Sequence, residues 1–79
     1  MDDVARIIDL ASLPPYTRAK IIDIVAGPGL RVRLMQMGLL PGTEIEVVEN
    51  RGGTVIIKLR GTTIGISRGI AKKIVVSIM

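Results

Sequence analysis

The sequence predicts a small, mainly β fold: five short strands forming a closed or nearly closed barrel, with one short helix and an N-terminal arm. Three observations predict it. Apolar and polar residues alternate over short runs that are separated by glycine turns. The apolar content is 48% and consists largely of Ile and Val, with Phe and Trp absent, a β-branched stock that favours strands and stiff packing. One stretch, Gly29-Leu-Arg-Val-Arg-Leu-Met-Gln-Met-Gly-Leu-Leu-Pro-Gly42, breaks the alternation with a helical period and a built-in stop.

Taken in order, residues 3–11 suit a short amphipathic helix or arm with Val4, Ile8 and Ala11 on one stripe. It is too short to be stable unless it docks. Ser12-Leu13-Pro14-Pro15 ends it, because proline removes the donors that a helix needs. Arg18 to Ala26 reads as a strand with Ile22 and Ile24 in phase, and Gly27-Pro28-Gly29 turns into a helix from about Leu30 to Met37. Gly38 fits the left-handed position just past a helix end, with Leu39 as the apolar lid of that cap. Pro41-Gly42 has the order wanted at the centre of a type II turn. Glu44 to Glu49 alternates with Ile45 and Val47 inward, and Arg51-Gly52-Gly53 closes a hairpin. Thr54 to Arg60 then places Val55, Ile57 and Leu59 inward and Lys58 and Arg60 outward. After a reversal at Gly61, Thr62 to Ser67 carries Ile64 and Ile66, Arg68 to Ala71 forms a helical turn, and Lys73 to Met79 is the last strand.

On a helical wheel Leu30, Leu34 and Met37 fall on one side of the predicted helix, while Val32, Met35 and Leu39 fall nearly opposite. A helix of two to three turns on a small sheet buries one stripe. The other is left for a partner, a second copy of the chain, or the N-terminal arm through Val4 and Ile8. With Leu30, Leu34 and Met37 seated on the barrel, Val32 and Met35 face out and Arg31, Arg33 and Gln36 rim them. Apolar centres with Arg-rich edges are the usual anatomy of protein contacts. The expected partner-binding set is therefore Arg31, Val32, Arg33, Met35, Gln36 and Leu39.

The 79 residues are expected to make one domain, 1–79, with residues 1–12 as its arm. Cysteine is absent, so neither a disulfide nor a thiolate metal site supports the small core. No apolar run approaches the roughly 18–20 residues of a membrane span. The opening Met-Asp-Asp lacks the positive charge of a secretory signal, so a cytoplasmic location is expected. The net charge of +4 is uneven: Asp2, Asp3 and Asp9 face Arg6 alone in residues 1–17, whereas residues 18–79 carry ten Lys and Arg against four acids. A basic body suits nucleic acid, an anionic surface or an acidic protein.

Chemistry finds little footing. Histidine is absent, which removes the usual neutral-pH acid or base, and Ser12, Ser67 and Ser77 have no partner in sequence. Alternation places Glu44 and Glu46 on an outer face, and without His or Cys no tetrahedral zinc site can be built from this chain alone. Asp2, Asp3 and Asp9 are read as capping or solubilising. Pro28 deprives the Gly27-Pro28-Gly29 turn of a donor that a phosphate loop would use. The chain is expected not to be an enzyme and to need no cofactor. A small basic barrel that binds nucleic acid is the alternative reading. Tyr16, however, is the single aromatic available for base stacking.

The run Leu10-Ala-Ser-Leu13-Pro-Pro, then Ala19-Lys20-Ile21, then Arg33-Leu-Met-Gln-Met-Gly-Leu-Leu-Pro-Gly-Thr43, Arg60-Gly61-Thr62 and Ile66-Ser67-Arg68, with Ala71 and Ile74-Val75-Val76, resembles the FeoA family over nearly the whole chain. Tyr16 stands where the family usually has a glycine. The resemblance implies an SH3-like five-stranded β-barrel with an inserted helix, in a small cytosolic protein of ferrous iron uptake. It also implies a partner, the FeoB membrane transporter with its cytosolic GTP-binding domain, and similar SH3-like domains end some metal-dependent repressors. The donor set argues for an accessory or regulatory role in place of iron carriage, since Fe²⁺ sites favour imidazole and carboxylate and Met35 and Met37 are soft thioethers. Proline-rich peptide binding is not expected, because it needs an aromatic-walled groove. A weak homo-oligomer through the helix patch remains open. So do secondary basic contacts from Arg51, Arg60 and Arg68, each at or near a turn, where an exposed arginine could stabilise charge on a partner's nucleotide.

Overall fold

Every strand in the computed structural model, which describes residues 6–79, joins a single antiparallel sheet in the order β1-β6-β2-β3-β4-β5. The strands are β1 (Arg6–Asp9), β2 (Arg18–Ile24), β3 (Glu44–Arg51), β4 (Thr54–Leu59), β5 (Thr62–Ser67) and β6 (Ile74–Ile78). A 3₁₀ turn (Leu10–Ser12) follows β1, α1 (Pro28–Gln36) links β2 to β3, and α2 (Arg68–Ala71) links β5 to β6. β1 and β5 are the two edges, so no ladder joins the ends of the sheet.

The core is one face of this sheet folded on itself. Val55, Ile57 and Leu59 on β4 and Ile45 and Val47 on β3 are buried as their alternation predicts, while Glu44 and Lys58 are exposed. Ile21, Ile74 and Val76 continue the same layer, the 3₁₀ segment adds Leu10 and Leu13, and the end of α1 adds Leu34 and Leu39. Register irregularities at Ile21/Asp23 in β2 and Val47/Glu49 in β3 interrupt the ladders. Such bulges bend a strand and sharpen its twist, which helps a six-stranded sheet wrap one core.

Three expectations need correction. The arm is not a helix over its described part: Arg6–Asp9 is a sixth strand, with Ile7 opposite Ser77 and Ile8 opposite Val76. The β-branched pair Ile7-Ile8 prefers extended backbone, and β6 supplies hydrogen bonds that a lone helical turn would lack. Val4 lies outside the described residues; Ile8 pairs with Val76 in the ladder, and Val32 and Met35 stay exposed, so the described part of the arm does not cover them. In β2, Ile22 is exposed whereas Ile21 and Ile24 are buried, because the bulge resets the phase after Ile21.

The third correction concerns α1. Leu34 is buried and Leu30 partly so, but Met37 is exposed and Leu39 is fully buried, the reverse of the wheel. The helix stops at Gln36, and Gly38 (φ 98) turns left-handed. The Gly38 N–H then donates to the Met35 carbonyl at 3.0 Å and the Leu39 N–H to the Leu34 carbonyl at 3.1 Å. This Schellman reversal folds Leu39 back toward Leu34 and ends the 100° spacing that had paired Leu39 with Val32. A side chain at position 38 would also press on Leu59, since its Cβ would lie 3.1 Å from Leu59 Cδ2. Gly42 (φ 91) with the Thr43 N–H bound to the Leu40 carbonyl completes the expected type II turn.

Candidate partner-binding surface

The outward side of α1 is where the structure leaves apolar side chains uncovered on a helix. Pro28 opens the helix at a position where its missing N–H costs nothing, and Gly27 precedes it in extended backbone without a side-chain cap. With Leu34 and Leu30 turned to the core, Val32 is 51% and Met35 37% exposed, three residues apart and so neighbours on the surface. Arg33 and Gln36 are exposed beside them. Leu39 leaves the expected set because it is core.

Arg31 is placed differently from a free rim cation. Its guanidinium donates to Asp23 Oδ1 at 3.2 Å and to the Ile24 carbonyl, tying α1 to the end of β2. The Ile24 N–H donates to the same Asp23 oxygen at 2.8 Å. That amide first, and Arg31 second, hold the Asp23 carboxyl below its ordinary value. Arg31 thus orients the helix that carries Val32 and Met35.

The three turn arginines have unlike surroundings. Arg51 pairs with Glu49 at 2.9 Å on the surface. Arg60 is exposed in the β4–β5 turn, with a left-handed backbone at φ 50. Arg68 is structural, which corrects its reading as an open basic contact: Nε donates to the Gly52 carbonyl at 2.8 Å, one terminal nitrogen to the Ala11 carbonyl at 3.2 Å and the other to Asn50 Oδ1 at 2.5 Å. Asn50 Nδ2 in turn donates to the carbonyls of Ala11 (3.0 Å) and Leu13 (2.6 Å). Together they lock the β3–β4 hairpin to the 3₁₀ segment. Sequence reading missed Asn50, because its acceptors lie 37 and 39 residues away.

Elsewhere the basic surface is interleaved with acid. Arg18 pairs with Glu44 at 3.3 Å, and Glu46 lies between Arg18 and Lys58 in the sheet register. Tyr16 is 81% exposed in a left-handed conformation (φ 69), beside Pro15 and Val48 in a shallow recess. Among the described residues no three His, Cys, Asp or Glu converge as metal ligands, and no helix is long and apolar enough to cross a membrane.

A curled antiparallel sheet with an inserted helix defines a small SH3-like domain. The FeoA domain model matches residues 8–78, and the chain belongs to that family. It is 45% identical over 53 residues to the Methanocaldococcus jannaschii protein named "Putative Fe(2+) transport protein A"; the match spans 67% of this chain and 65% of that relative. A crystal structure described as iron uptake regulatory protein (FeoA) superposes with a TM-score of 0.88 at 29% identity, over 94% of this chain and 100% of the other. The IdeR crystal structure from T. acidophilum matches with a TM-score of 0.83 at 30% identity, over 100% of this chain but 37% of that one. The domain therefore also occurs as part of a longer protein.

Proposed function

We propose that this chain is an accessory, regulatory protein of ferrous iron uptake. It docks on the cytosolic side of a FeoB-type membrane transporter as a one-domain module, which makes its place of action the cytoplasm. The observation that carries the reading is the exposed Val32–Met35 pair on α1, edged by Arg33 and Gln36, in a chain of the FeoA family. The relative named for Fe(2+) transport and the solved structure described as an iron uptake regulatory protein support the assignment to iron uptake. Arg31 acts by holding the helix, and Arg51 and Arg60 provide secondary contacts. Iron is the transporter's cargo in this reading, and no cofactor is assigned to the chain.

A pull-down of membranes containing the transporter, run with and without GTP, tests this. Retention of the transporter by the wild-type chain and its loss with Met35→Asp is the expected pattern. Equal retention by both, or preferential capture of DNA or RNA at low salt, would count against it. The nucleic-acid alternative gains little from the structure, because Arg18 and Arg51 are paired with carboxylates and Tyr16 is the one aromatic.

A further inference from the structure

The edge strand β5 borders a groove whose other wall is α1. The Arg60-Gly61 turn is two residues long, which makes Leu59 and Thr62 the hydrogen-bonded closing pair. Counting along the ladder, Thr63 and Gly65 fall at the alternate positions, so their N–H and C=O groups point away from β4 toward the open edge. Beside that edge lie two recesses that share Met37. One, of about 220 Å³, is lined by Leu30, Leu34, Ile66 and Ile70 with Arg33 and Gly65; the other, of about 270 Å³, runs past Leu59 and Ile64 to Arg60. Neither recess is lined by an acidic side chain.

Gly65 supplies an independent observation. Its φ is not positive, and a Cβ there would meet only Thr54 Cγ2 at 3.5 Å, an ordinary contact. Neither backbone conformation nor crowding within the chain calls for glycine at this place. A bare backbone in an exposed edge strand suits close approach by another backbone.

We propose that this groove takes an extended segment of a partner protein, alternating apolar and acidic side chains, as a strand added to β5. The Thr63 and Gly65 backbone groups supply the pairing, the apolar recess takes alternate side chains, and Arg33 and Arg60 select acidic ones. A second copy of this chain would bring its own Arg33 and Arg60 to the same cations, which disfavours self-pairing. The groove shares the edge residues Arg33 and Gln36 with the outward α1 face but has a different apolar lining, since neither Val32 nor Met35 lines it.

The test is an amide NMR titration of the full chain with an acetylated, amidated (Val-Glu)₄ peptide and, as control, (Val-Lys)₄. The acidic peptide is expected to shift amides of Thr62 to Ser67 saturably and to bind about tenfold or more tightly than the lysine peptide. Gly65→Pro removes an outward donor without breaking the ladder to β4 and should abolish binding. Arg60→Glu, fully on the surface, should weaken it about tenfold and covers the case in which Gly65→Pro unfolds the sheet. Met35→Asp should leave peptide binding unchanged even where it abolishes transporter capture, which separates this site from the α1 face. Absence of shifts up to millimolar peptide, or equal binding of the two peptides, would overturn the proposal. So would β5 shifts on simple dilution, which report a second copy, or on deletion of residues 1–5, which report the chain's own N-terminus in the groove.

Discussion

Replacing Tyr16 with glycine should stabilise this protein. Tyr16 is held at φ 69 between Pro15 and β2, with its N–H donating to the Val47 carbonyl at 2.6 Å. For an L-residue the left-handed region costs about 1–2 kcal/mol, chiefly from the Cβ, and the ring, 81% exposed, returns little by burial. Glycine removes that cost but adds about 0.4–1 kcal/mol of chain entropy to the unfolded state. The difference spans about 0–1.6 kcal/mol and centres on a gain of about 0.5–1 kcal/mol. A domain of this size shifts its melting temperature by about 4–8 °C per kcal/mol, so Tyr16→Gly should melt about 2–8 °C higher by circular dichroism or calorimetry. Tyr16→Ala is the control, because it keeps the Cβ and should change stability by less than about 0.5 kcal/mol. If alanine stabilised as much as glycine, ring exposure and not backbone strain would be the cause. If glycine destabilised by more than about 1 kcal/mol, the reasoning would be refuted.

Two further outcomes follow from contacts between distant segments. Arg68→Ala should destabilise by about 2–3 kcal/mol, since two partly buried acceptors and one exposed carbonyl lose a charged donor; Arg68→Lys should recover only part of it, as an ammonium cannot reproduce the fork. Denaturant melts of both variants against wild type measure this. The Asp23 carboxyl, held low by the Ile24 amide and then Arg31, contributes stability that is present above the ordinary carboxylate range near pH 4 and is lost as pH falls below it. Asp23→Asn should therefore flatten the fall of melting temperature below about pH 4, and a profile unchanged from wild type would discount the hydrogen bonds from the Ile24 amide and Arg31.

The strands with one buried face were legible because a two-residue period has one solution once Val55, Ile57 and Leu59 must face inward. β2 was misread in phase, since a bulge leaves no mark in hydrophobicity and Ile21, Ile22 and Ile24 are chemically alike. Over Arg6–Asp9 the sequence leaves a short helix or an arm open, because four residues carry too little pattern to separate a strand from a turn of helix. Within the site, Val32 and Met35 were readable because they lie inside α1. Met37 and Leu39 were not, as the left-handed Gly38 redirects the chain just where the wheel assumes continuity. Arg68 and Asn50 escaped for another reason: their partners are carbonyls from the 3₁₀ segment and the hairpin, and backbone acceptors have no sequence signature.

The central claim is that the outward face of α1 is a docking surface and not surplus core. Its most direct test is the dissociation constant of the Met35→Asp chain for the transporter's cytosolic part, measured alongside its melting temperature. An exposed side chain at the centre of a contact should weaken binding by about 2 kcal/mol, roughly thirtyfold, with the melting temperature held within a few degrees of wild type. Wild-type affinity in a folded variant, or a variant that unfolds, would contradict the account.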